Sequence, residues 1–153
     1  MRDEEDEAFD DGARDHDGGI RTAVNAWCAD RAAAKARYGP IASWDTSAIT
    51  DMSHLFFNKR DFNKDISRWD VSSVTSLRYT FAFATSFNGD LSLWRVGQVM
   101  SMAHMLSGAT SFDRQLGGAW ATSTADKYRM FDNSPGSIAG KTNDITGTPL
   151  TPL

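Results

Sequence analysis

The sequence predicts an α/β fold: a short solenoid of coils about 25 residues long, each a short parallel strand plus a helical turn, behind an N-terminal capping helix. Three observations predict it. Trp44, Trp69 and Trp94 are spaced 25 residues apart, and Trp120 follows 26 later. A shift of 25 residues also superposes Ile41, Ile66 and Leu91; Ile49, Val74 and Val99; Met52, Leu77 and Met102; Phe56, Phe81 and Leu106; and Phe62, Phe87 and Phe112. Units of this length cannot bury an apolar face alone and must stack. Finally, a helical apolar stripe stands immediately ahead of the first copy.

Four segments follow along the chain. Residues 1–17 hold nine acids against Arg2 and Arg14, a balance of −7, so an acidic disordered arm is expected there. Residues 18–40 carry a balance of +3 and place Ile20, Val24, Trp27, Arg31, Ala34 and Tyr38 at three- and four-residue steps. That pattern predicts one capping helix, stopped by Gly39-Pro40. Residues 41–134 are the repeats, with nine charges of each sign. Residues 135–153 form a Gly/Thr/Pro-rich tail with loop chemistry.

Within the repeats, Ile66-x-x-Trp69-x-Val71-x-x-Val74 and Leu91-x-x-Trp94-x-Val96-x-x-Val99 fit the leucine-rich template L-x-x-L-x-L-x-x. A leucine-rich-repeat solenoid is therefore expected. Trp and Val would point inward from each strand while Asp70 and Ser72 point out. Thr50 and Thr75 would cap helical turns over Met52–Phe56 and Leu77–Phe81, and Phe62-Asn63 and Phe87-Asn88-Gly89-Asp90 would turn each coil back.

The stretch Trp69–Ser92, WDVSSVTSLRYTFAFATSFNGDLS, resembles the BspA-like surface-protein repeat, a divergent leucine-rich repeat of largely unknown function. The likeness covers about residues 41–134. It weakens at Lys59, where Ala84 and Ala109 hold the family's alanine, and at Trp94-Arg95-Val96-Gly97-Gln98. The resemblance implies a surface used for protein contact, associates the chain with surface or secreted proteins, and transfers no catalytic residue.

Several chemistries can be weighed on composition and spacing. No apolar run approaches the 18 residues of a membrane-spanning helix, and no apolar segment follows the charged start Met1-Arg2-Asp3-Glu4-Glu5. Neutral repeats behind an acidic arm argue against nucleic acid. The single Cys28 fits a packed thiol on the helix stripe and is compatible with an intracellular or organellar site. Asp15-His16-Asp17 reads as part of a solvated tail. His54 and His104 share a column with Tyr79 between and Arg129 after; two strand spacings are too far for one metal ion, so an amphipathic face position is expected. The Asn63/Asp65, Asn88/Asp90 and Asp113/Gln115 pairs fit turn-capping better than calcium. The tryptophans fit core better than sugar stacking, and the Ser/Thr ladder of an ice-binding face breaks at Gln98 and Met100. No nucleophile with a base, phosphate loop, metal set or cofactor motif can be drawn.

The expected function is thus a non-catalytic protein–protein interaction or scaffold module. Outward positions vary (Ser43, Asp45, Ser47; Arg68, Asp70, Ser72; Leu93, Arg95, Gly97), and Arg68, Asp70, Ser72, Leu93 and Arg95 are the candidate contact residues. The alternatives are a small accessory structural subunit of a large assembly, docking through its end, arm and tail, and an adhesin for carbohydrate or protein.

Overall fold

The computed structural model describes Phe9 and residues 19–140. The acidic arm over residues 1–17, Phe9 apart, and the tail from residue 141 lie outside the described residues. Instead of one capping helix there are two, α1 (Ile20–Ala29) and α2 (Arg31–Tyr38). Asp30 separates them: it is extended (φ −151°, ψ 91°), its N–H donates to the Ala26 carbonyl, and its carboxylate accepts the Ala33 N–H at 3.2 Å. The same aspartate therefore closes one helix and caps the next, which a short acidic side chain does well. α1 buries Ile20, Ala23, Val24 and Trp27, and α2 buries Ala34 and Tyr38. Trp27 meets Trp44 edge to face at 5.8 Å, fastening the helices to the first repeat.

The leucine-rich-repeat solenoid of strand-plus-helical-turn coils does not form. The strands among the described residues are β1 (Gln115–Leu116) and β2 (Ser137–Ile138), paired in parallel, and single parallel bridges join Asp51, Ser76, Ser101 and Asp126. The Trp–Val stretch is a turn. The Asp70 carboxylate accepts the Ser72 N–H at 2.9 Å, and the Val74 N–H returns to the Val71 carbonyl at 2.9 Å. Such local bonding competes with a ladder and wins here.

Nor are there helical turns at Met52–Phe56 or Leu77–Phe81. The N–H groups of Met52, His54, Phe56 and Asn58 reach sideways to the carbonyls of Ser76, Arg78, Thr80 and Ala82 at 2.8–3.0 Å. The residues between fold back three positions, as Leu55 to Met52 and Phe57 to His54 at 3.1 Å. The result is a run of consecutive β-turns, repeated by Leu77–Phe83 onto Ser101–Ser107 and by Met102–Gly108 onto Asp126–Asp132. Residues at two positions per copy adopt positive φ: His54, Tyr79, His104 and Arg129 at one, Asn58, Phe83, Gly108 and Asn133 at the other. A left-handed residue every fourth position stops the chain from climbing as a helix and aims alternate N–H groups at the neighbouring copy. Thr50 and Thr75 cap nothing helical; the Thr75 N–H and hydroxyl both donate to the Thr50 carbonyl, at 2.8 and 3.2 Å.

The apolar columns close one core. Phe56 and Phe81 stack at 5.4 Å, Phe62 and Phe87 at 5.9 Å, and Phe87 and Phe112 at 6.0 Å. Trp44 stacks on Trp69 at 6.2 Å and Trp94 on Trp120 at 6.5 Å. Each later indole N–H donates to the first carbonyl of the preceding copy: Trp69 to Ile41, Trp94 to Ile66 and Trp120 to Leu91, at 2.8–3.0 Å. Tryptophan thus fills the core and staples adjacent copies without stranding its polar atom. The 26-residue step to Trp120 accommodates Gly118 at φ +53° and a short helix, α3 (Ala119–Thr122).

Candidate functional site

The turn runs aim every second N–H at the neighbouring copy and leave one flank of side chains outside. On that flank the rings of His54, Phe57, Tyr79, Phe83, His104 and Tyr128 touch in sequence. His54 stacks on Tyr79 at 4.7 Å and Tyr79 on His104 at 4.6 Å; His104 meets Tyr128 edge-on at 5.4 Å. Phe57 joins His54 at 5.4 Å and Phe83 at 5.9 Å. Phe57 and Phe83 remain 37% and 43% exposed, whereas Phe56, Phe62, Phe81, Phe87 and Phe112 are buried in the core. Six contiguous rings at a solvated surface form a patch of the kind used for contact.

Phe83 is the unusual member. Its backbone sits at φ +59°, where Asn58, Gly108 and Asn133 hold the equivalent positions in the other copies. Asparagine and glycine adopt this region readily, and a bulky aromatic does not. The Phe83 ring lies over Gly108, where an added Cβ would come within 2.5 Å of it. A strained backbone here therefore presents a half-exposed ring.

Charge frames the patch. Arg129 lies over the Tyr128 ring at 5.4 Å and pairs with Asp132 at 3.5 Å. Arg21 reaches from α1 to the Ser53 and Asp51 carbonyls at 2.6 and 3.3 Å, covering the acceptor edge of the first turn run. Partial burial, then Arg21 and Arg78, hold the His54 imidazole below its ordinary range against the opposing pull of Asp51. Partial burial and Arg129 do the same for His104, with Asp132 opposing. This direction favours the neutral imidazole, which suits stacking on apolar or uncharged groups.

The five residues singled out in the sequence lie on the Trp flank, and all are exposed. Two are held by the turn: Ser72 donates its hydroxyl to Asp70 at 2.5 Å, and that bond, the Ser72 N–H and nearby Arg95 hold the Asp70 carboxyl below its usual range. Leu93 is 74% exposed, and Arg68 and Arg95 stand beside the turn. No ring ladder joins these five. Asp65 and Asp90 cap Ser67 and Ser92 at 2.9 Å in the same way, and Asn88 bridges copies, taking its N–H to Asn63 at 2.9 Å and its amide to Asp113 at 3.2 Å. Turn and ladder bonds thus account for these Asn and Asp columns. Among the described residues, no three His, Cys, Asp or Glu side chains converge on one point.

Sequence reasoning placed His54, Tyr79, His104 and Arg129 in one column but not Phe57 and Phe83 beside them. The available signal was a phenylalanine in a column otherwise made of asparagine and glycine.

Residues 27–142 match the family model described as "Mycoplasma protein of unknown function, DUF285". The chain belongs to that family. The match spans α1 from Trp27, α2 and all the turn runs, so both flanks lie within the family's domain. No curated protein matches the chain. No solved structure matches it either. No helix among the described residues is long and apolar enough to cross a membrane.

Proposed function

We propose that the chain is a non-catalytic protein-recognition module and that its contact surface is the aromatic flank around Phe57, Tyr79 and Phe83. The observation that carries this is Phe83: a half-exposed ring on a left-handed backbone where asparagine or glycine would be more stable. Strain retained in the free fold is explained when a bound partner uses the strained group. Tyrosine, arginine and large aromatics also supply most of the energy at interfaces, where truncating one central residue costs about 2 kcal/mol or more. The likeness of Trp69–Ser92 to BspA-like surface-protein repeats supports the same role.

The test pairs stability with capture. Phe83→Asn should keep or raise thermal stability while reducing capture of partners by about tenfold or more. Phe57→Ser with Phe83→Asn should abolish it. The reading is abandoned if the double variant retains the same partners at the same yield. A glycan array on the same proteins tests the adhesin alternative; binding to sugars that is lost with Phe83→Asn would reassign the flank to carbohydrate.

A further inference from the structure

A second surface lies at the other corner of the first repeat. Where the C-terminal half of α1 approaches residues 58–64, the chain leaves a groove of about 610 Å³. Trp27 and Phe62, both buried, contribute apolar surface to it. Arg31, Lys59, Arg60 and Lys64 line it, against the one carboxylate of Asp61. None of the four cations forms an ion pair or side-chain hydrogen bond among the described residues, whereas Arg21 and Arg129 elsewhere are both paired. Four like charges around one cleft repel one another and raise the local concentration of anions.

We infer that this groove is a docking site for a carboxylate-rich peptide segment of a protein partner. Charge complementarity selects the carboxylates. The volume and the spread of the cations favour a segment over a single small anion, because only a chain can reach four spaced cations along the groove.

Cys28, the chain's single cysteine, is exposed rather than packed on the helix stripe and lines the groove, which supplies a local reporter. The experiment uses the full chain and a fluorescein-labelled oligoglutamate peptide, read by polarisation and by the rate at which iodoacetamide alkylates Cys28. Binding should weaken steeply with salt and slow alkylation severalfold. Lys59→Gln with Lys64→Gln should weaken binding about tenfold or more, and Lys59→Arg with Lys64→Arg should retain it. Arg95→Gln with Arg114→Gln, which removes the same charge from later copies, should leave it within about twofold. The proposal is overturned if no binding is seen at low salt with the full chain or with a full-length variant whose nine acids in residues 1–17 are changed to Asn or Gln, if the two Gln variants lose equally, or if the peptide binds without protecting Cys28. It is also overturned if inorganic phosphate at equal concentration competes as well as the peptide, which would mark a small-anion site.

Discussion

The two flanks of each repeat use aromatic residues in opposite ways. On the Trp flank, Trp44, Trp69, Trp94 and Trp120 are at most 4% exposed. Their rings lie in the core, and the turns beside Trp44, Trp69 and Trp94 are held by Asp carboxylates that accept Ser N–H groups. On the turn-run flank, Phe57 and Phe83 are exposed and the backbone beneath adopts left-handed conformations at His54, Tyr79, Phe83, His104 and Arg129. The first arrangement fits a role in holding adjacent copies together. The second leaves apolar surface uncovered over a strained chain. A repeated aromatic column thus signals stacking in both places, and only the backbone beneath it separates stapling from display.

Disrupting the first flank should have the largest effect. Trp94→Ala removes a ring that is 1% exposed and strips the Ile66 carbonyl of its 3.0 Å indole donor. Large aromatic truncations in a core cost about 3–5 kcal/mol, and the orphaned carbonyl adds to it. A fall in melting temperature of roughly 10 °C or more is expected, read by circular dichroism. A fall of only a few degrees would show that the indole column does not hold the copies together.

The glycines sharpen the contrast at a smaller scale. Gly97, on the Trp flank, has open space where a Cβ would project, and Gly97→Ala should change stability by no more than about 0.5 kcal/mol. Gly108 sits at φ +72° beneath the Phe83 ring. Gly108→Ala should cost about 1–2 kcal/mol from the left-handed backbone alone, and more while Phe83 remains overhead. Repeating it in a Phe83→Asn background separates the two parts: the cost should shrink but not vanish. Additive effects would mean that the Phe83 ring does not rest on Gly108.

Much of the core was legible in the sequence, and little of the backbone was. The period of 25 identified the stacked columns because burial needs only the right residue at the right interval. Trp69, Val71 and Val74 point inward and Asp70 and Ser72 outward whether the segment is a strand or a turn, so alternation could not choose between them. The choice was made by the Asp70 carboxylate on the Ser72 N–H, a bond whose sequence signature is a two-residue Asp–Ser spacing that also recurs at Asp45, Asp65 and Asp90. The turn runs were harder to see. Asn58, Gly108 and Asn133 hint at left-handed backbone, but His54, Tyr79, Phe83 and Arg129 do not, and their conformation is imposed by bonds to a copy 25 residues away. Asp30 was readable as a helix cap, yet the continuous apolar stripe through Arg31 concealed the break. For the candidate surface, exposure of Leu93 and Arg95 was legible; that Phe57 meets Phe83 was not, since their positions in the repeat differ by one residue.

The smallest predicted effect concerns pH and belongs to the turn-run flank alone. Partial burial and neighbouring arginines hold His54 and His104 below the ordinary imidazole range in the folded chain. The unfolded chain, with imidazoles near 6.5, therefore binds more protons as pH drops through that value. Stability should be full above about 6.5 and decline as pH falls toward the depressed folded values. The capped carboxylates of Asp65, Asp70 and Asp90, held low by their serine partners, act with the same sign but only near and below the ordinary carboxylate range of about 4. The two windows are separable. His54→Asn with His104→Asn keeps side chains that accept left-handed backbone and removes the titration, so the variant's denaturant midpoint should be flatter than the wild type's between pH 7 and pH 5 whatever its absolute stability. Parallel slopes would place the imidazoles in water-like surroundings and undo the electrostatic description of that flank, leaving the indole flank untouched.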